Sequence, residues 1–163
     1  MVLNNTHTAA APAADQALLA QLQTMGRLSL QQADYARRVA RSLAEPASQV
    51  LRLLRLASDS DIARALATLH SLSTWWPDAA QVDTAALARV PFAFARQHRL
   101  LRVRTVGDVL QIAIDNPDDA DARQRLRRHV PGEVQWIVSP RAALASAIEM
   151  AYHFATHPSA AEL

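Results

Sequence analysis

Four aspartates fall within seven residues, Asp115, Asp118, Asp119 and Asp121, in the stretch "QIAIDNPDDADARQRL". Carboxylates clustered this way hold a hard cation, share a proton for acid–base work, or cap a helix. The calcium loop follows D-x-[DN]-x-[DN]-G, and here proline and alanine occupy needed positions. Acid–base pairing requires burial that drives the two carboxyl pKa values apart. An alternating apolar run precedes the acids, and an arginine-rich helical run follows them. Asn116 and Pro117 suit the turn between the two, and the dipole of the following helix favours each acid by about 0.3–1 kcal/mol. The cluster reads as solvated capping.

A second spacing with chemical potential is His153 and His157, one helical turn apart. It is compatible with a metal, but no HExxH glutamate accompanies it and Pro158 follows directly. The pair reads as surface histidines. Ser, His and Asp are present without a G-x-S-x-G elbow. All 17 basic residues are arginine and none is lysine. That removes the P-loop, whose lysine reaches the phosphates, and Schiff-base catalysis through lysine. The absence of cysteine removes disulfides, thiolate nucleophiles and cysteine metal sites. With three glycines, each at a helix end or turn, no loop is built to cradle phosphate. The expectation is a protein that is not an enzyme and carries no metal.

These residues need a scaffold of 163 positions, of which 50% are apolar but only 5% aromatic. A core so rich in alanine favours helices packed at close range. The formal charge is +2, with arginines interleaved among acids rather than gathered on one face, so nucleic-acid binding is not expected. No apolar run approaches the ~18 residues of a membrane span. The opening "MVLNNTHTAAAPAADQ" has no positive n-region. The expected location is the cytoplasm, reaching the inner face of a membrane only through a partner.

Periodicity predicts an α+β chain: an N-terminal helical subdomain followed by an αββαβα subdomain with a small three-stranded mixed sheet. Residues 1–14 read as a disordered leader. Residues 15–72 read as two helix pairs. Ala17, Leu18, Leu22 and Met25 form one stripe, closed by Gly26. Ser29 and Gln32 make a capping box for a helix with Tyr35, Val39 and Leu43 inward. Val50, Leu51 and Leu54 form the next stripe. Ser58 and Asp61 then cap a helix through Ile62, Ala65, Leu66 and Leu69. A shift of 29 residues lays Leu22 on Leu51, Ser29 on Ser58, Gln32 on Asp61 and Ala36 on Ala65. Residues 73–83, "STWWPDAAQVD", read as a linker whose Trp75 and Trp76 cover a core edge.

In residues 84–155, Thr84 caps a short helix and Pro91 starts another. Residues 100–104 and 109–114 alternate around Gly107-Asp108, a hairpin signal. Residues 118–129 are helical with Ala122 and Leu126 inward, and "EVQWIV" is a third strand. Its connection through a helix makes it parallel to the second. Ser139 as N-cap and Pro140 in the first turn open the last helix, through Leu144, Ile148, Ala151 and Tyr152. Residues 156–163 read as a tail.

The segments "VPFAFARQHRLLRVR", "VLQIAIDNPDD" and "EVQWIVSPRAALASAIEMAYH", in that order, resemble the amino-terminal domain of type II secretion and type IV pilus assembly ATPases, the GspE/MshE amino-terminal family. The resemblance covers about residues 18–152. Many members carry two tandem Arg-Leu-Gly-x-x-Leu-x-x-x-Gly motifs that bind cyclic di-GMP. The first copy here keeps Leu18, Leu22 and Gly26, with Ala17 and Leu19 in place of the arginine and first glycine. The second starts at Pro46, keeps Leu51, and has Arg55 where the second glycine belongs. Arg27, Arg52 and Arg55 are the candidates to replace the missing arginine.

The resemblance implies a non-catalytic docking or regulatory domain. Its partner would be the cytoplasmic domain of an inner-membrane secretion or pilus protein, together with its own ATPase domain if the chain is a fragment. Leu18, Leu22, Gly26, Arg27, Val50, Leu51, Arg52, Arg55, Trp75 and Trp76 are the candidate ligand- or partner-binding residues. The alternatives are a cyclic di-GMP sensor and a regulatory domain of another membrane machine, such as one making exopolysaccharide.

Overall fold

The computed structural model of the chain describes residues 6–157. They divide into two compact units, with the boundary between Leu69 and His70. In place of a disordered leader, the backbone from Thr6 is helical. Residues 1–5 lie outside the described part.

The first unit holds four helices: α1 (Thr6–Thr24), α2 (Leu30–Leu43), α3 (Ala47–Leu53) and α4 (Asp59–Leu69). Alanines at 9, 10, 11, 13 and 14 have the strongest intrinsic helix preference, which extends α1 upstream of the apolar stripe. Asp15 ties α1 to α3, accepting from the Ala47 N–H at 3.0 Å. The capping box of α2 is complete: Ser29 accepts from the Gln32 N–H and Gln32 from the Ser29 N–H. Ser58 accepts from the Asp61 N–H in the same way at α4. Leu18, Leu19, Leu22, Val50, Leu51, Ile62 and Leu66 are buried.

One face of this unit differs from the sequence expectation. On α2 the buried side chains are Ala33, Ala36 and Ala40, while Tyr35 and Leu43 are 47% and 51% exposed. Alanine lets a neighbouring helix approach closely, and that packing outweighs burial of the larger stripe.

The second unit is built on a four-stranded sheet in the order β1-β4-β3-β2. The strands are β1 (Ser73–Thr74), β2 (Leu100–Val106), β3 (Val109–Ile114) and β4 (Val134–Val138). The helices are α5 (Phe92–His98), α6 (Ala120–Leu126) and α7 (Arg141–Thr156). β2 and β3 form the antiparallel hairpin, with Leu100 opposite Ile114 and Val106 opposite Val109. Gly107 turns between them at φ +62°, where a side chain would be strained. α6 crosses from β3 to β4, which pair in parallel, Ile112 beside Trp136.

The fourth strand was not expected, because it lies in the segment read as a linker. Ser73 and Thr74 pair in parallel with Ile137 and Val138. The Trp75 N–H donates to the Val138 carbonyl at 2.8 Å, and the Ser139 hydroxyl donates to the Trp75 carbonyl at 2.7 Å. Residues 73–83 therefore belong to the second unit. Ser139, expected as a cap, spends its hydroxyl on this closure. Pro140 holds the cap position of α7 without a side-chain bond. Likewise Asp83, not Thr84, precedes the 3-10 helix Thr84–Arg89.

The core gathers Trp75, Leu87, Leu101, Ile112, Ile114, Leu126, Ile137, Leu144 and Ile148. Tyr152 fastens α7 by donating to the Val90 carbonyl at 2.7 Å.

Candidate functional site

The faint sequence repeat is a repeat of backbone geometry. α1 ends on Gly26 at φ +71°, and α3 ends on Arg55 at φ +54°. The Arg27 N–H reaches back to the Leu22 carbonyl at 2.9 Å, and the Leu56 N–H reaches back to Leu51 at 2.9 Å. The Gly26 N–H bonds Gln23, and the Arg55 N–H bonds Arg52. Both helices thus close on a left-handed residue with the paired bonds of a Schellman turn. In each case a serine three residues later caps the next helix. Every equivalent position is offset by 29 residues.

Leu18, Leu22, Val50 and Leu51 are at most 3% exposed. They hold the turns from inside rather than lying on the surface. Arg27 pairs with Asp61 at 3.3 Å, and Arg52 pairs with Asp59 at 2.6 Å. Both arginines therefore converge on the first turn of α4, each held by an aspartate. Arg52 and Arg55 line a hollow of about 480 Å³ with Ala57, Ser58 and Asp59. In the second unit, Trp75 is buried and its Nε1–H donates to Gln81 at 2.8 Å, so it is a core residue. Trp76 is 43% exposed.

The four aspartates of the β3–α6 turn take four structural roles. Asp119 accepts from the Ala122 N–H as the cap of α6. Asp118 pairs with His70 at 2.9 Å, and Asp121 pairs with Arg125 at 2.7 Å. The hydrogen bond and charge of Asp121 raise the Arg125 guanidinium above its ordinary pKa. Asp115 is not solvated as expected: it is 5% exposed, accepting from Arg99 at 2.6 Å with Arg141 at 3.9 Å. His153 and His157 stack with ring centres 4.7 Å apart. Among the described residues no group of three or more His, Asp or Glu side chains is placed to hold a metal.

The MshEN domain family matches the chain over residues 77–158, just over half of its 163 residues. The chain belongs to the MshEN domain family. Its fold is that of solved MshEN domains, the amino-terminal domains of the GspE/MshE family. A structure of MshE with cdg (cyclic di-GMP) superposes with a TM-score of 0.71 at 25% identity, covering 83% of this chain and 98% of that one. The N-terminal domain of XpsE superposes at 0.68 with 21% identity, covering 83% and 94%. No curated protein sequence matches the chain.

Two surfaces of this MshEN domain lie outside the candidate binding residues named from the sequence. On α2, Tyr35, Val39 and Leu43 follow one another at i, i+4 and i+8 with Tyr35 and Leu43 exposed. Arg38, one turn after Tyr35, borders that stripe, and Arg41 follows; both are exposed. On the second unit, Ala120, Arg123, Gln124, Arg127 and Trp136 line a recess of about 320 Å³. The signal for the first was the stripe itself, read from the sequence as the inward face. For the second it was Arg123 and Arg127, spaced i, i+4 in a run read only as helical.

Proposed function

We propose that this MshEN domain is a non-catalytic docking and regulatory domain of a secretion- or pilus-type ATPase system. It binds the cytoplasmic domain of an inner-membrane platform protein and couples that partner to the motor, on the cytoplasmic side of the membrane. Family membership and the likeness to the MshE and XpsE domains support the class. The Tyr35–Val39–Leu43 stripe, exposed at Tyr35 and Leu43 and lying beside Arg38 and Arg41, is the observation that carries the docking reading. A stripe of this spacing receives an apolar helix face. The two exposed arginines select one flanked by acids. No helix among the described residues is long and apolar enough to cross a membrane.

The test is a pull-down with the platform protein's cytoplasmic domain. Tyr35→Ser with Leu43→Ser should weaken capture at least about tenfold, and Arg38→Glu should weaken it more at low salt than at high salt. Undiminished capture by both variants would remove the stripe from the reading. No capture by the native chain would remove the docking function.

A second reading is a cyclic di-GMP sensor regulating a secretion, pilus or exopolysaccharide machine. The MshE structure with cdg and the paired turns at Gly26 and Arg55 favour it. Against it stand Ala17 and Pro46 for arginine, Leu19 and Ser48 for glycine, and the commitment of Arg27 and Arg52 to aspartates. Arg55 is the arginine left over at the hollow. Calorimetric titration separates the readings: saturable heat lost on Arg55→Ala supports the sensor, and no heat at high micromolar ligand eliminates it.

A further inference from the structure

α6 turns Ala122 and Leu126 into the core and leaves Arg123, Gln124 and Arg127 on the side facing β4. There they surround a recess of about 320 Å³ walled by the partly buried Trp136. The Nε of Arg123 is out of solvent and has no hydrogen-bond partner among the described residues. Among the described residues no ion pair is seen at Arg123 or Arg127, and no acid lines the recess. The nearby acids are engaged elsewhere: Asp119 caps the helix, and Asp121 holds Arg125.

Two features of this arrangement are unfavourable as it stands. A desolvated donor without an acceptor destabilises the fold. Two guanidinium groups one helical turn apart repel each other. A bound dianion removes the repulsion, because the guanidinium Nη groups of the two arginines that line the recess can donate to its oxygens. The indole of Trp136 adds an apolar face on which a flat ring can lie. The volume sits at the low end of small-molecule sites, with room for one phosphate and one ring system.

We propose that this recess is a binding site for a small phosphate monoester carrying a planar ring, of the size of a nucleoside monophosphate. The phosphate sits between Arg123 and Arg127, and the ring lies against Trp136. The site is in the second unit and uses none of the residues of the paired turns.

The test uses the full chain, following the Trp136 indole N–H by NMR (assigned with Trp136→Phe). The probes are adenosine or guanosine monophosphate, the matching nucleosides and inorganic phosphate. The expected result is saturable perturbation of the Trp136 signal by a monophosphate below about 1 mM. Arg127→Ala should weaken it by about fivefold or more, and Arg123→Gln by about tenfold. Arg127 is exposed, so its replacement leaves the fold intact even if Arg123→Gln does not. Three results would overturn the site: no perturbation at about 5 mM monophosphate, binding no tighter than that of inorganic phosphate or of the nucleoside, or unchanged affinity in Arg127→Ala.

Discussion

Asp115 stands apart from the other acids of its cluster because it leaves water. Its carboxylate ends β3 against Arg99, itself in a left-handed conformation at φ +50°, and near Arg141 at the start of α7. Removing one partner of a buried pair leaves the other unsatisfied. Asp115→Ala should therefore cost about 2–3 kcal/mol in chemical denaturation, discounted because Arg99 keeps a third of its side chain in solvent. Asp121→Ala should leave the denaturation midpoint nearly unchanged, since its pair with Arg125 is half exposed. The local roles of this cluster were legible: an Asx turn, a cap and a dipole effect need only near neighbours. Burial of Asp115 was not, because its partner Arg99 lies 16 residues upstream.

The two left-handed helix ends give a matched pair of changes. A Cβ added at Gly26 would meet nothing within 4 Å, so only the backbone conformation is at stake. Gly26→Ala should destabilise by about 1 kcal/mol, and Arg55→Gly should stabilise by about as much. Urea unfolding of the single and double variants measures both. Equal stabilities would show that the positive φ carries no cost.

At the scale of elements, α7 packs through Leu144, Ile148 and Ala151 and adds one phenol bond, from Tyr152 to Val90. Burial pushes the Tyr152 hydroxyl up to about 12 from its ordinary 10. The folded state binds this proton more tightly than the unfolded chain does. The contribution is fully present below pH 10 and is lost as pH rises through about 12. Tyr152→Phe should remove that alkaline loss and cost about 0.5–1.5 kcal/mol at neutral pH for the bond to Val90. Thermal melts from pH 8 to 11.5 would check it, and parallel curves for both proteins would refute the linkage.

Element identity in the sheet unit was legible from local signals. The hairpin shows in alternation around Gly107-Asp108, the crossover in the helical run before "EVQWIV". Two elements were not legible. β1 has two residues, too short for a period, and it exists because β4 offers it a free edge. α2 carries two faces of similar apolar character, and pattern alone favours the larger side chains. The inward choice was made by neighbouring helices that needed alanine. Of the candidate site, the equivalence of Gly26 and Arg55 could be read from the 29-residue shift. The capture of Arg27 and Arg52 by α4 could not, because ion pairing follows from packing.

At the scale of the molecule, the sheet unit has a centre and a rim. β3 lies between β4 and β2, whereas β1 is a two-residue edge. Amides of β3 should exchange slowest in this unit, and the Trp75 amide should exchange faster than those of β3. Hydrogen exchange read by NMR tests the ranking, and Trp75 outlasting Ile112 would contradict it. The α2 stripe and the α6 recess belong to different units, so a helix-binding partner and a phosphate ligand can be disrupted by separate substitutions.

The closure of Ser139 on Trp75 spans 64 residues. On the ribosome, α1 through α4 are complete as soon as Leu69 has left the exit tunnel. The tryptophan pair that follows then waits bare while the hairpin and α6 are translated, because its strand partner has not been made. Protein synthesis therefore yields a finished helical half attached to an unfinished, sticky one. A stall before Val138 leaves two adjacent indoles as the natural handle for a chaperone.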